Sequence, residues 1–87
     1  MNIVVYSKNN CVWCDRAKNL LNSVNLPFDE IDLSDDTERS EFYKKIGEGV
    51  KTVPQIFIDN KHIGGCDDLY SLDSRGELDP LLEGKKI

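Results

Sequence analysis

The chain has 87 residues, 39% of them hydrophobic, and a formal net charge of −5; this suffices for one core, and residues 1–87 are read as a single domain. The acidic balance excludes general nucleic-acid affinity, which needs basic patches to neutralise phosphate, and no apolar run is long enough to span a bilayer. Three cysteines with one close pair are too few for a disulfide scaffold, so that pair is expected to be chemical rather than structural. The opening MNIVVYSKNN has no basic leader, extended apolar segment or small-residue cleavage site, and a cytoplasmic location is expected.

Residues 2–6, NIVVY, are β-branched and aromatic and predict a buried strand. After the polar loop SKNN, Ala17, Leu20, Leu21 and Val24 recur at i, i+3, i+4 and i+7, one apolar stripe on a helix. Asn25 is a left-handed terminator and Pro27 stops continuation. In PFDEIDL, Phe28, Ile31 and Leu33 alternate imperfectly with acids and predict a second strand. Asp35 and Glu38 have capping-box spacing and open a helix that turns Phe42 and Ile46 inward and ends at Gly47. VPQIFI, the turn Asp59-Asn60 and KHI predict a hairpin, and Gly64-Gly65 separates it from a helix bearing Leu69 and Leu72. After Gly76, Asp79-Pro80 reads as the cap and first residue of a last short turn.

Strand, helix, strand, helix, hairpin, helix is an α/β order. The first βαβ unit implies a parallel pair with a right-handed crossover, and the hairpin adds antiparallel strands. The predicted architecture is thioredoxin-like, a mixed four-stranded sheet with helices on both faces.

Cys11-Val12-Trp13-Cys14 falls between a predicted strand and the start of a helix. Unpaired amides and the macrodipole at a helix N-terminus favour negative charge, so a thiolate at Cys11 is nucleophilic at neutral pH. Cys14 lies one turn in on the same face, within disulfide reach, and resolves the mixed disulfide that Cys11 forms. A structural zinc site is disfavoured, because it takes four ligands and only Cys66 and His62 remain as further candidates. Lys8 is either an ordinary surface lysine or a cation that supports the thiolate or a substrate carboxylate. Trp13, in the exposed corner of the pair, offers an apolar docking surface.

Three separated motifs, K-x-x-C-V-W-C at 8–14, TVPQIFI at 52–58 and HIGGCDDLYSLDSRGELDPLL at 62–82, make the whole chain resemble glutaredoxins. The GGCDDL segment resembles the dithiol class often called the third bacterial type. The resemblance implies a cis-proline at Pro54, with Val53 offering its backbone to an extended cysteinyl ligand as a short added strand. It assigns glutathione binding to Lys8, Trp13, Thr52, Val53, Pro54, Gly65, Cys66 and Asp67. Gly64-Gly65 would allow close backbone approach, Asp67 would pair with the α-ammonium of the γ-glutamyl end, and Lys8 would lie near the glycine carboxylate, with Lys51 as a second candidate there. Cys66 is either a redox-sensitive third thiol or a small residue filling a tight corner, and the second reading is preferred because it sits outside the catalytic pair.

The resemblance thus implies a glutathione-dependent thiol–disulfide oxidoreductase that uses Cys11 and Cys14, with glutathione as reductant and no metal requirement. Its expected partners are disulfide-containing or glutathionylated proteins, ribonucleotide reductase among them, and a monomer is expected. The chain departs from the family at Val12-Trp13, where Pro-Tyr is usual. That change frees a backbone N–H beside Cys11 and leaves open a cluster-bridged dimer carrying [2Fe–2S]. A thioredoxin-like donor recycled by a flavoprotein reductase is the other alternative; it would need Cys11, Cys14 and Pro54 but not Lys8 or the 64–67 segment.

Overall fold

The computed structural model describes residues 2–47 and 49–76. Its β-branched opening forms β1 (Ile3–Ser7), which turns Ile3, Val5 and Ser7 to one side. α1 (Val12–Ser23) follows, then β2 (Asp29–Asp32), α2 (Asp36–Ile46), the hairpin β3 (Gln55–Ile58) and β4 (Lys61–Gly64), and α3 (Cys66–Ser74). The sheet order is β2-β1-β3-β4, with β1 parallel to β2 and antiparallel to β3, and β3 antiparallel to β4. This is the expected thioredoxin-like fold.

On one face Ile3, Val5, Ile56 and Ile58 pack against Ala17, Leu20 and Leu21 of α1 and Cys66 and Leu69 of α3. The predicted stripe of α1 is therefore its buried face, with Val24 at the core margin. The opposite face is aromatic: the Tyr6 ring lies 4.3 Å from Phe42 of α2 and 5.6 Å, edge-on, from Phe57. Helices thus cover both faces, but unequally, because no residue of α2 is fully buried. Phe42 and Ile46 do turn towards the sheet, though only to half-burial.

The punctuation follows the side chains. Asn25 takes φ 60°, and the N–H of buried Leu26 reaches back to the Leu21 carbonyl at 3.0 Å, closing α1 with a left-handed cap. The Asp35 carboxylate accepts the Glu38 N–H at 2.9 Å and starts α2. Asp59 and Asn60 both have positive φ, as a two-residue hairpin turn requires.

The second strand departs from expectation. It spans only Asp29–Asp32, and all four residues are exposed, Ile31 included at 40%. The apolar packing falls to the flanks, half-buried Phe28 and buried Leu33. β2 is an outer strand that does not alternate with a core: Asp29 and Asp32 are exposed, and Glu30 turns to Ser7 and Lys18. The last turn expected at Asp79-Pro80 lies outside the described residues.

One polar chain ties β1, β2 and α1 together. Buried Ser7 donates its hydroxyl to Glu30 at 2.6 Å, and Lys18 pairs with the same carboxylate at 2.8 Å. The Lys18 bond, then the Ser7 bond, hold the Glu30 carboxyl below its ordinary value; the Glu30 bond raises Lys18. A depressed carboxyl stabilises the fold above its unfolded pKa and loses that contribution as pH falls through the folded value. The raised Lys18 behaves oppositely, its contribution being lost only as pH rises through its folded value. Glu30 is 41% exposed, so screening keeps the ion pair small; stranding the buried Ser7 hydroxyl adds to it. Glu30→Ala is expected to cost about 1 kcal/mol at neutral pH in urea unfolding. That difference should shrink as pH falls below about 4, and one that persists undiminished in acid would contradict the assignment.

Candidate active site

Cys11 is the N-cap of α1, with extended backbone (φ −122°, ψ 105°), and its sulfur accepts the Cys14 N–H at 3.2 Å. Its carbonyl receives the Asp15 N–H at 3.1 Å. The sulfur thus occupies the position where a capping oxygen would sit, facing amide hydrogens with no intrahelical acceptor. When reduced, this arrangement favours thiolate over thiol by direct hydrogen bonding and by the helix field. Cys14 is completely buried one turn below, with a Cα–Cα separation of 5.2 Å, and the two sulfurs form a disulfide. Access is one-sided: Cys11 is half-buried, whereas Val12 and Trp13 between the cysteines are 64% and 54% exposed. The Arg16 guanidinium lies 5.0 Å from the Trp13 ring centroid, a cation–π contact that steadies the exposed indole.

The segment before β3 meets this corner. The Val53–Pro54 peptide is cis, and the Val53 carbonyl oxygen lies 3.8 Å from the Cys11 sulfur. Behind it stands the β4–α3 corner, where Gly65 packs beside the Pro54 carbonyl oxygen, an added Cβ meeting it at an ordinary 3.4 Å. At the start of α3, Asp68 accepts the Gly65 N–H at 3.0 Å, while the neighbouring Asp67 carboxylate is exposed and has no hydrogen-bond partner among the described residues. The Cys66 thiol is buried, and burial, then the negative charge of Asp67, push it above its ordinary value. Cys66 thus fills the corner as a buried thiol.

Two adjoining clefts collect these groups. The larger, about 560 Å³, runs between the 49–55 segment and the β4–α3 corner and is lined by Trp13, Thr52, Val53, Pro54, Gly65, Cys66 and Asp67. The smaller, about 410 Å³, exposes Cys11 and adds Lys8, sharing Trp13, Lys51, Thr52 and Val53 with the first. Between them, the two clefts are lined by all the ligand-site residues expected from the sequence, with Cys14 buried beneath Cys11. Lys51 lines both clefts.

Three residues of this region were not expected. Tyr43, from α2, walls the Cys11 cleft, and its phenol is raised by burial against the opposing influence of Arg39. Gln55 is one of two buried polar residues among those described; its only sequence signal is an amide inside the apolar run VPQIFI. His62, considered only as a metal ligand, instead directs Nε2 to Gln55 Oε1 at 2.6 Å and stacks on Phe57. Among the described residues no group of three histidine, cysteine or acidic side chains is gathered to hold a metal ion.

The glutaredoxin family model matches residues 3–63. The chain belongs to the glutaredoxin family. Glutaredoxin 3 of Escherichia coli (strain K12) is 52% identical over 83 residues, covering 94% of this chain and 98% of that protein. The solution structure of a glutaredoxin from Brucella melitensis is 42% identical and superposes with a TM-score of 0.80, covering all of this chain and 94% of that one. The buckwheat glutaredoxin–glutathione complex is 32% identical with a TM-score of 0.80, covering 94% of this chain and 76% of that one. Family and cysteine pair together make this glutaredoxin a thiol–disulfide oxidoreductase.

Proposed function

We propose that this glutaredoxin takes its electrons from glutathione and reduces glutathionylated proteins and protein disulfides. The observation that carries the proposal is a pair of adjoining clefts that meet at Trp13, Lys51, Thr52 and Val53, one exposing Cys11 and Lys8 and the other lined by Asp67. Lys8 lines the Cys11 cleft, Lys51 and the Val53 backbone line both, and Asp67, which has no hydrogen-bond partner among the described residues, lines the other. Those features match the chemistry of glutathione: a carboxylate for Lys8 and Lys51, an α-ammonium for Asp67, and a cysteinyl backbone for Val53. Trp13, Thr52, Pro54, Gly65 and Cys66 supply the walls. A neighbouring fold solved with glutathione supports the same reading.

In the glutathionylated-protein route, the Cys11 thiolate attacks the glutathione sulfur, the protein thiolate leaves and takes up a proton, and Cys11 carries the glutathione. A second glutathione thiolate then attacks that sulfur, releasing oxidised glutathione and restoring Cys11. In the protein-disulfide route, Cys11 forms a mixed disulfide with the client. Cys14 loses its proton and attacks the Cys11 sulfur, freeing the reduced client and leaving the Cys11–Cys14 bridge for two glutathiones to reduce.

The GGCDDL motif and the likeness to Escherichia coli glutaredoxin 3 support membership of the third bacterial type. A cytoplasmic, monomeric enzyme with ribonucleotide reductase among its clients completes the proposal. The test is reduction of a small glutathione mixed disulfide by the wild-type protein, with glutathione, glutathione reductase and NADPH. Sustained NADPH consumption is expected, and Asp67→Ala should raise KM for the mixed disulfide by about fivefold to tenfold. Absence of wild-type turnover, with activity appearing instead under a flavoprotein thioredoxin reductase, overturns the glutathione reading.

A further inference from the structure

Gln55 is only 5% exposed, and a buried amide is costly unless its donors and acceptor are used. Here they are used in one direction. Its Nε2 donates to the Thr52 carbonyl at 3.0 Å, with the Thr52 hydroxyl at 3.4 Å, and its Oε1 faces His62 Nε2 at 2.6 Å. A carbonyl accepts only, so the Thr52 contact fixes which end of the amide is NH2. Oε1 must then face His62, and the imidazole nitrogen opposite an acceptor must carry the hydrogen. The neutral imidazole is thereby set as the Nε2–H tautomer, its ring held against Phe57 at 4.9 Å between centroids.

We infer that Gln55 and His62 are positioning residues, a relay from β4 through β3 that holds the Thr52–Val53 backbone at its setting beside the Cys11 sulfur. Thr52 is exposed and precedes β3, so the sheet ladder does not hold its carbonyl; the Gln55 amide does. The next residue, Val53, carries the oxygen that lies 3.8 Å from Cys11. The relay acts on where a peptide-like ligand docks and leaves the nucleophile itself, which is governed by the α1 N-terminus, unchanged. It rests on the reading of Val53 as the backbone partner of glutathione.

The variants separate the relay from mere stability. Gln55→Glu keeps size and an acceptor for His62 but sets a carboxylate against the Thr52 carbonyl. His62→Phe keeps the ring against Phe57 and removes the donor. His62→Gln restores a donor, since its amide nitrogen reaches about as far as Nε2. With a glutathione mixed disulfide, Gln55→Glu should raise KM about tenfold and His62→Phe about threefold, with His62→Gln close to wild type and kcat changed less than about twofold throughout. Cys11 alkylation rates in the reduced proteins should match wild type. Independently of turnover, long-range proton–nitrogen NMR of the wild-type protein at alkaline pH should show the Nε2–H tautomer of His62. An Nδ1–H tautomer, or an unchanged KM in folded Gln55→Glu, overturns the relay. Absence of turnover in the wild type counts against the glutathione reading alone, and the tautomer then decides the relay.

Discussion

Serine in place of Cys11 is expected to lower turnover on the proposed glutathione-coupled route by at least about a thousandfold, because a hydroxyl beside the same amides is scarcely ionised and a poor nucleophile towards sulfur. The fold should survive the change, since Cys11 is a half-buried N-cap and serine is itself a good one. Cys14→Ser has a different expected result. With a small glutathione mixed disulfide it retains turnover, because the glutathione sulfur is already on Cys11 and a second glutathione completes the cycle. With a protein disulfide it stalls, because the buried resolving sulfur is gone and the client stays attached. NADPH oxidation in the coupled assay, run with each substrate on wild type and both variants, checks all of this. Equal loss in both variants on the small substrate would refute the division of labour, which rests on Cys11 being accessible and Cys14 fully enclosed.

Gly64→Ala is expected to be the most destabilising of the glycine substitutions in the site. Gly64 has φ +125°, a region that residues with a Cβ rarely occupy, and its added Cβ would lie 2.2 Å from Asp68 Oδ2 and 2.7 Å from Asp68 Cγ. Asp68 would have to swing away, abandoning the Gly65 N–H it accepts at 3.0 Å. Backbone strain and the lost cap together should cost roughly 3 kcal/mol, or a drop in Tm on the order of 15 °C. Gly65→Ala is the control. Its φ of −94° suits any residue, and the new methyl would meet the Pro54 carbonyl at an ordinary 3.4 Å. Thermal melts should place Gly65→Ala within about 1 kcal/mol of wild type. Similar losses at both positions would mean that the Asp68 clash is not what constrains the corner.

The readable parts of this molecule were those governed by local rules. The α1 stripe, the Asn25 terminator, the Asp35 cap and the Asp59-Asn60 turn each depend on a few adjacent residues, and each is present. The cysteine pair was legible because its spacing and its place at a helix start carry the chemistry together. β2 was misjudged in extent because Ile31 mimics an inward position in a strand whose neighbours are all acids at the sheet's outer edge. The role of Gln55 could not be read from spacing. It depends on an amide meeting a carbonyl from an irregular segment and an imidazole from the next strand. Tyr43 was invisible for a similar reason: only the tertiary placement of α2 brings it to Cys11.

The bare acidic rim of β2 has a consequence for colloidal behaviour. A sheet that ends in an uncovered strand is a template on which another chain can add its own backbone, the first step towards fibrous deposits. Asp29 and Asp32 place carboxylates along that strand, Glu30 being paired with Lys18, so edge-to-edge growth through two such strands would bring like charges together. The short, exposed strand that departs from the expected alternation is therefore expected to act as a gatekeeper against propagation of the sheet.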